Sequence, residues 1–252
     1  MPFQKLADQV KAPTIEEVGI YINGIFVRAP QEFTVLQAAW ANGFEIPTLC
    51  YHRDLPSEGH CRLCVVEIGE APRTRLVNSC TYPVEKGLKV QTHSDKVMQA
   101  RRIVLELLMA RAPAAELIKE LAAEHGIHET RFHIDDPQER CILCGLCVRT
   151  CKEIVGVSAI SMANRTPDKQ VATPFKEASE ACIGCGSCAF ICPTNVIPYT
   201  EKDGVRTIWG RNFELQACKV CGNYIEPKAQ LEHWAQLTGD PVETFFVCRD
   251  CR

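Results

Sequence analysis

The chain has 252 residues, enough for two or three small domains, and sixteen of them are cysteine. A formal charge of −3 argues against nucleic-acid binding, which wants a basic surface, and thiolates on a metal would make the true charge more negative. No run approaches the ~18 apolar residues of a membrane span. The N-terminal MPFQKLADQVKAPTIEEV lacks the apolar stretch of a secretory signal, so a cytoplasmic setting with reduced thiols is expected.

In chain order, residues 18–27 (VGIYINGIFV) are two β-rich runs around Asn23-Gly24, the strongest short hairpin signal. Thr34 can N-cap VLQAAWAN, whose Val35, Ala38 and Ala39 share a face, and Gly43 suits the left-handed position after the helix. A hairpin, one helix and a cysteine loop is the order of a β-grasp ferredoxin. The loop carries Cys50, Cys61, Cys64 and Cys80, spaced C-x10-C-x2-C-x15-C. That spacing suits a [2Fe–2S] cluster better than a zinc ribbon, whose knuckles come as two C-x2-C pairs. His52 and His60 flank these cysteines, but a Rieske centre replaces two cysteines by histidines, and four cysteines are already present. Both histidines are expected beside the ligands or at the surface.

Ser94 opens a helical stretch in which Val97, Ala100, Val104, Leu107 and Leu108 recur as an apolar stripe, with Arg101, Arg102 and Glu106 off it. Pro113 breaks it, and AAELIKELAAEH continues to Gly126 with Leu117 and Leu121 on one face. No cysteine lies between Cys80 and Cys141. His125, His128 and His133 therefore lack thiolate partners and are expected on a solvated helix end and loop.

At Cys141 the chain reads C-I-L-C-G-L-C-V-R-T-C, and later C-I-G-C-G-S-C-A-F-I-C-P. Each cysteine of the second run follows its counterpart by 41 positions, as Cys182 follows Cys141. Three thiolates two residues apart wrap three iron corners of one [4Fe–4S] cube, and the fourth of each run ligates the other cube. The expected sets are Cys141, Cys144, Cys147 with Cys192, and Cys182, Cys185, Cys188 with Cys151. Val155, Val157 and Ile160, then Val196 and Ile197, supply apolar cover. Gly184-Cys185-Gly186-Ser187-Cys188-Ala189 also fits G-x-G-x-x-A, but two of its variable positions are cluster ligands. The dinucleotide reading is discarded, and NAD or flavin would have to bind elsewhere.

The last four cysteines, Cys218, Cys221, Cys248 and Cys251, form C-x2-C-x26-C-x2-C. They suit a four-thiolate zinc site, with a further iron–sulfur cluster as the alternative. Ala229, Leu231, Trp234 and Leu237 are placed to share a short helix between the two pairs.

The paired runs resemble the two-cluster bacterial ferredoxins. The N-terminal region resembles the large iron–sulfur subunit of respiratory complex I, the diaphorase iron–sulfur subunit of NAD-reducing hydrogenases and the N-terminus of some iron-only hydrogenases. Pro47-Thr48-Leu49-Cys50-Tyr51-His52, Gly59-His60-Cys61-Arg62-Leu63-Cys64-Val65-Val66-Glu67 and Asn78-Ser79-Cys80 carry that second resemblance. In the complex I and diaphorase subunits a [4Fe–4S] cluster with one histidine and three cysteine ligands comes next. Here Ala112-Pro113 stands where they carry His-Pro, and that cluster is expected to be absent.

The fold class expected is α+β: a β-grasp [2Fe–2S] domain (17–93), a helical linker (94–133), a two-[4Fe–4S] ferredoxin domain (134–205) and a small four-cysteine module (206–252). With all sixteen cysteines in sets of four, no open iron is left for a substrate, and no catalytic residue is assigned. The resemblance implies a non-catalytic electron-transfer subunit of an NAD(P)H-linked oxidoreductase of hydrogenase, formate dehydrogenase or electron-bifurcating type. Its partners would be a flavoprotein subunit, other oxidoreductase subunits and a soluble ferredoxin. A free-standing multi-cluster ferredoxin shuttle is the alternative.

Overall fold

The computed structural model describes residues 16–252; part of the N-terminal segment read for a targeting signal lies outside them. The chain divides into two compact units, one running to Leu49 and resuming at Ser57–Leu105, the other made of Cys50–Pro56 and Glu106–Arg252.

In the first unit β1 (Glu17–Ile22) and β2 (Ile25–Pro30) form the expected antiparallel hairpin. Asn23 and Gly24 both take positive φ, 52° and 83°, as the tight turn matching strand twist requires. Alternation along β1 buries Ile20 and Ile22 completely while Tyr21 faces out. β3 (Val65–Glu70) pairs antiparallel with β4 (Arg73–Asn78) and with β5 (Lys89–Gln91), which lies parallel to β1. The sheet order is β2-β1-β5-β3-β4. Helix α1 (Val35–Ala41) starts at a reciprocal cap: the Gln37 amide N–H donates to Thr34 Oγ1, and the Thr34 N–H donates to Gln37 Oε1. It buries Val35, Leu36, Ala38 and Ala39, and Gly43 follows at φ 78°.

The helix expected after Ser94 is α2 (Asp95–Arg111), but its buried line differs from the expected stripe. Val97, Arg101, Leu105 and Leu108 are buried, whereas Ala100 and Val104 are half-buried and Leu107 is 48% exposed. Arg101 and Glu106, placed off the stripe by polarity alone, are 1% and 7% exposed. Each is drawn in by a partner: Arg101 donates to the Val65 carbonyl at 3.0 Å, and Glu106 pairs with Arg131 at 3.0 Å. Helix α3 (Glu116–Glu124) centres on Ile118 and Ala122, with the expected Leu117 and Leu121 half-buried beside them. The apolar arc is wide enough that its centre is set by packing and not by the leucines.

The remainder of the second unit is built of short pieces: α4 (Leu146–Arg149) running into a π turn (Thr150–Ile154), the ribbon β6 (Ser161–Ala163) and β7 (Gln170–Ala172), and α5 (Ser187–Phe190). A meander follows, with β8 (Tyr199–Lys202), β9 (Val205–Ile208), β10 (Arg211–Ala217) and β11 (Tyr224–Pro227) paired in sequence order. This sheet runs across the boundary expected at 205/206, and β9 and β10 contribute Ile208 and Phe213 to the core around Cys147, Cys151, Cys188 and Cys192. Helix α6 (Lys228–Thr238) spans the segment expected to be helical, burying Leu231 and leaving Leu237 exposed. Among the described residues no helix is long and apolar enough to cross a membrane.

Candidate iron–sulfur and metal sites

Within the first unit Cys61, Cys64 and Cys80 are buried, and the Cys80 thiol reaches that of Cys64. A hydrogen bond from the Cys80 thiol, the largest cause, brings the Cys64 thiol down to about 7, with the Cys80 and Ser79 groups assisting against burial. Ser79 anchors this corner: its hydroxyl and its amide both donate to the Cys64 carbonyl, at 2.7 and 3.1 Å. Gly59 sits at φ 66°, and a Cβ there would meet the Asn78 amide at 3.1 Å, so glycine suits this approach of the loop. Cys50, in the second unit, is 1% exposed. His52 and His60 lie at the surface, paired with Asp54 at 3.7 Å and Glu58 at 2.5 Å.

The two long cysteine runs fold as copies of one device. Gly145 (φ 75°) and Gly186 (φ 74°) hold the same left-handed turn before α4 and α5, each helix carrying the third cysteine of its run. Cys141, Cys144, Cys147 and Cys192 line one cavity with Ile142, Val171, Val196 and Ile197. Cys151, Cys182, Cys185 and Cys188 line another with Val155, Val157, Ile160 and Ile208. The fourth cysteine of each run thus faces the cavity of the other run. Burial pushes the Cys147 thiol up to about 12 and that of Cys188 to about 11, and raises Cys141, Cys151 and Cys182 as well. Four thiolates in such an apolar cavity need a positive core to compensate them, and an iron–sulfur cube supplies it. Donors to sulfur are also in place: the Ala159 amide reaches Cys151 Sγ at 3.2 Å, and Trp209 Nε1 reaches Cys188 Sγ at 3.4 Å.

Sequence reasoning missed the arginines that brace these loops. Arg206, 4% exposed, donates to Glu201 (2.6 Å), to Glu226 (2.8 Å) and to the Gly184 carbonyl (2.9 Å) between two cysteines of the second run. Arg211 donates to the carbonyls of Ser179, Glu180 and Cys182 at 2.7, 2.9 and 2.9 Å. Arg149, 4% exposed, donates to the carbonyls of Cys50 and Pro56, both at 2.6 Å. In the sequence these are ordinary charges on short strands and a short helix; only the fold shows that carbonyls bent out of regular structure draw them inward.

At the C-terminus the sulfurs of Cys218, Cys221, Cys248 and Cys251 all lie within 4.8 Å of one another. Cys218 is buried, Cys221 exposed, and the other two lie between.

Sheet, helix and cysteine geometry define an iron–sulfur protein with a ferredoxin-like [2Fe–2S] domain and a paired-cube domain. Family models agree: a 2Fe-2S iron–sulfur cluster binding domain matches residues 16–95, and a 4Fe-4S dicluster domain matches residues 140–196. The NADH-ubiquinone oxidoreductase 75 kDa subunit of Reclinomonas americana is 30% identical over 223 residues, covering 79% of this chain and 31% of that protein. The NADPH-Fe(3+) oxidoreductase subunit alpha of Geobacter sulfurreducens is 30% identical over 248 residues, covering 88% of this chain and 29% of that protein. Among solved structures, a chain of the NAD+-reducing [NiFe]-hydrogenase in the H2-reduced state matches with a TM-score of 0.55 and 32% identity, covering 62% of this chain and 74% of that one. The chain belongs to the family of iron–sulfur subunits that includes the 75 kDa subunit and the hydrogenase chain, as its cysteine motifs led us to expect. It spans less than a third of the length of these two curated relatives.

Proposed function

We infer that the chain is an electron-transfer subunit of a cytoplasmic multisubunit NAD(P)H-linked oxidoreductase, relaying electrons between a flavoprotein and a catalytic or ferredoxin-linked partner. Cys50, Cys61, Cys64 and Cys80 hold the [2Fe–2S] cluster. Cys141, Cys144, Cys147 and Cys192 hold one [4Fe–4S] cube, and Cys182, Cys185, Cys188 and Cys151 hold the other. The observation that carries the reading is the likeness to the hydrogenase chain, which at 32% identity extends over 74% of that chain. The names of the relatives, NADH-linked in one case and NADPH-linked in another, support a nicotinamide donor upstream. Clusters buried at the end of short loops and closed on all four cysteines suit outer-sphere transfer and offer no open coordination position to a substrate.

Anaerobic affinity purification of the tagged full chain from native extract tests this. The expected result is co-elution with a flavoprotein and bleaching of the clusters on addition of NADH or NADPH. Recovery of the chain as a lone monomer, reducible by ferredoxin-type donors alone, would instead establish the shuttle.

A further inference from the structure

We propose that Cys218, Cys221, Cys248 and Cys251 bind a single zinc ion in a closed tetrahedral shell, and that this ion, not a hydrophobic core, holds the C-terminal segment in place. The first observation is distance. Zinc–sulfur bonds of about 2.3 Å set the edges of a four-thiolate tetrahedron at about 3.8 Å. The four sulfurs lie within 4.8 Å of one another, and Cys221 Sγ and Cys248 Sγ are 3.7 Å apart. The same chain supplies an internal control. Among the described residues this is the one group of three or more metal-ligand side chains drawn so close, although two other sets of four cysteines face cavities of their own. Thiolates of a cube stand outside its iron corners and must be spread apart; those of one ion must crowd together.

The second observation is how the two pairs are built. The first lies in the turn from β10 to β11, where the Cys218 amide donates to the Asn223 carbonyl (2.8 Å), the Gly222 amide donates to the Cys218 carbonyl (2.9 Å), and Gly222 takes φ 78°. The second closes with the Cys251 amide on the Cys248 carbonyl at 3.1 Å. Two hydrogen bonds stitch the pairs together: the Lys219 amide to the Phe246 carbonyl at 2.9 Å, and the Cys248 amide to Cys218 Sγ at 3.3 Å. An amide of one knuckle thus points at a sulfur of the other, the arrangement that stabilises a metal-bound thiolate.

The third observation is what is missing around it. From Glu232 to Arg252 no residue is buried. Trp234 meets Phe245 edge-on at 6.0 Å, yet Trp234 stays 37% exposed. A segment so poor in buried side chains has little burial free energy to offset its ordering, and a structural metal supplies what the core does not. Exposure of Cys221 also favours zinc, whose filled shell has no redox chemistry to shield from water. A tetrahedral iron site would share the geometry, but zinc binds such ligands more tightly than ferrous iron. With four thiolates bound, no position is left for substrate, so the ion is structural and carries no electrons.

Metal and acid-labile sulfide analysis of the purified full chain, joined to zinc-edge X-ray absorption, tests the proposal. About one zinc per chain with four sulfurs at about 2.3 Å is expected, beside about ten iron atoms for one [2Fe–2S] and two [4Fe–4S] clusters. Cys248→Ser and, separately, Cys221→Ser should lower zinc at least tenfold and leave iron and the visible spectrum unchanged. A zinc-free chain with about fourteen iron atoms, or with about eleven, would overturn it in favour of a fourth cube or a mononuclear iron. Zinc retained in both variants would overturn it equally. Zinc and iron are read separately, so a wrong cube assignment changes the iron count without touching this result.

Discussion

The paired runs at Cys141–Cys192 and the knuckles at Cys218–Cys251 use the same C-x2-C spacing for opposite ends. In the first region glycine turns at Gly145 and Gly186 spread sulfurs around apolar cavities, with Ile160, Ile197, Ile208 and Phe213 packed behind them. In the second, the sulfurs crowd within 4.8 Å at a surface where the surrounding segment buries almost nothing. Local spacing therefore brings cysteines together in pairs and triples that suit a metal. The spread of the sulfurs and the apolar wall behind them fix how many metals, and whether the site can be tuned to pass electrons.

The largest effect that can break this comparison is ligand loss across the two runs. Cys151 belongs by sequence to the first run but lines the cavity of the second. Cys151→Ser should therefore abolish or convert the second-run cube, taking iron from about ten towards about six per chain while the first-run cube survives. Mössbauer and EPR spectra of the variant would decide it. Damage confined to the first-run cube would show that each run ligates its own cluster.

A smaller effect separates the two copies themselves. Gly184 of the second run corresponds to Leu143 of the first, and both take positive φ, 71° and 53°. A Cβ on Gly184 would lie 2.6 Å from the Phe213 ring, so Gly184→Ala meets both a left-handed backbone cost and a clash. Together these should cost about 2–4 kcal/mol, seen as faster thermal bleaching of the clusters. Leu143→Gly should stay within about 1 kcal/mol, since it relieves the same backbone cost. Equal behaviour of the two variants would mean that the meander of β8–β11 does not clamp the second copy as the geometry indicates.

The parts of the molecule that could be read from the sequence are those set by neighbours along the chain. The Asn23-Gly24 turn, the Thr34 cap and the cysteine runs are local geometry, and each stands where the residues place it. Contacts between distant segments that carry no motif were not legible. Polarity put Arg101 on the outside of α2, yet it is buried because the Val65 carbonyl, 36 residues away, needs a donor. Its guanidinium is brought down to about 10 by that burial, against the pull of the nearby Cys64. Arg206 and Arg211 carry no motif at all, and the carbonyls they satisfy belong to loops whose shape the cysteines dictate. For the same reason spacing along the chain does not give the distance between the last two cysteine pairs, 26 residues apart, on which the zinc proposal rests.

The smallest effect concerns a residue shared by both cube cavities. Trp209 lines each of them, but its indole N–H donates to one sulfur only, Cys188 Sγ at 3.4 Å. A donor to a cluster sulfur stabilises the reduced, more negative state, so it raises the potential of that cluster. Trp209→Phe keeps the apolar wall and removes the donor. A hydrogen bond worth about 0.5–1.4 kcal/mol between redox states corresponds to about 20–60 mV for one electron. The second-run cube should move negative by that amount in an EPR-monitored titration, and the first-run cube should hold its potential. If both shift alike, Trp209 acts through water exclusion at the two walls and not through its N–H. The donors that distinguish the second-run cube are then the backbone ones, such as the Ala159 amide on Cys151 Sγ.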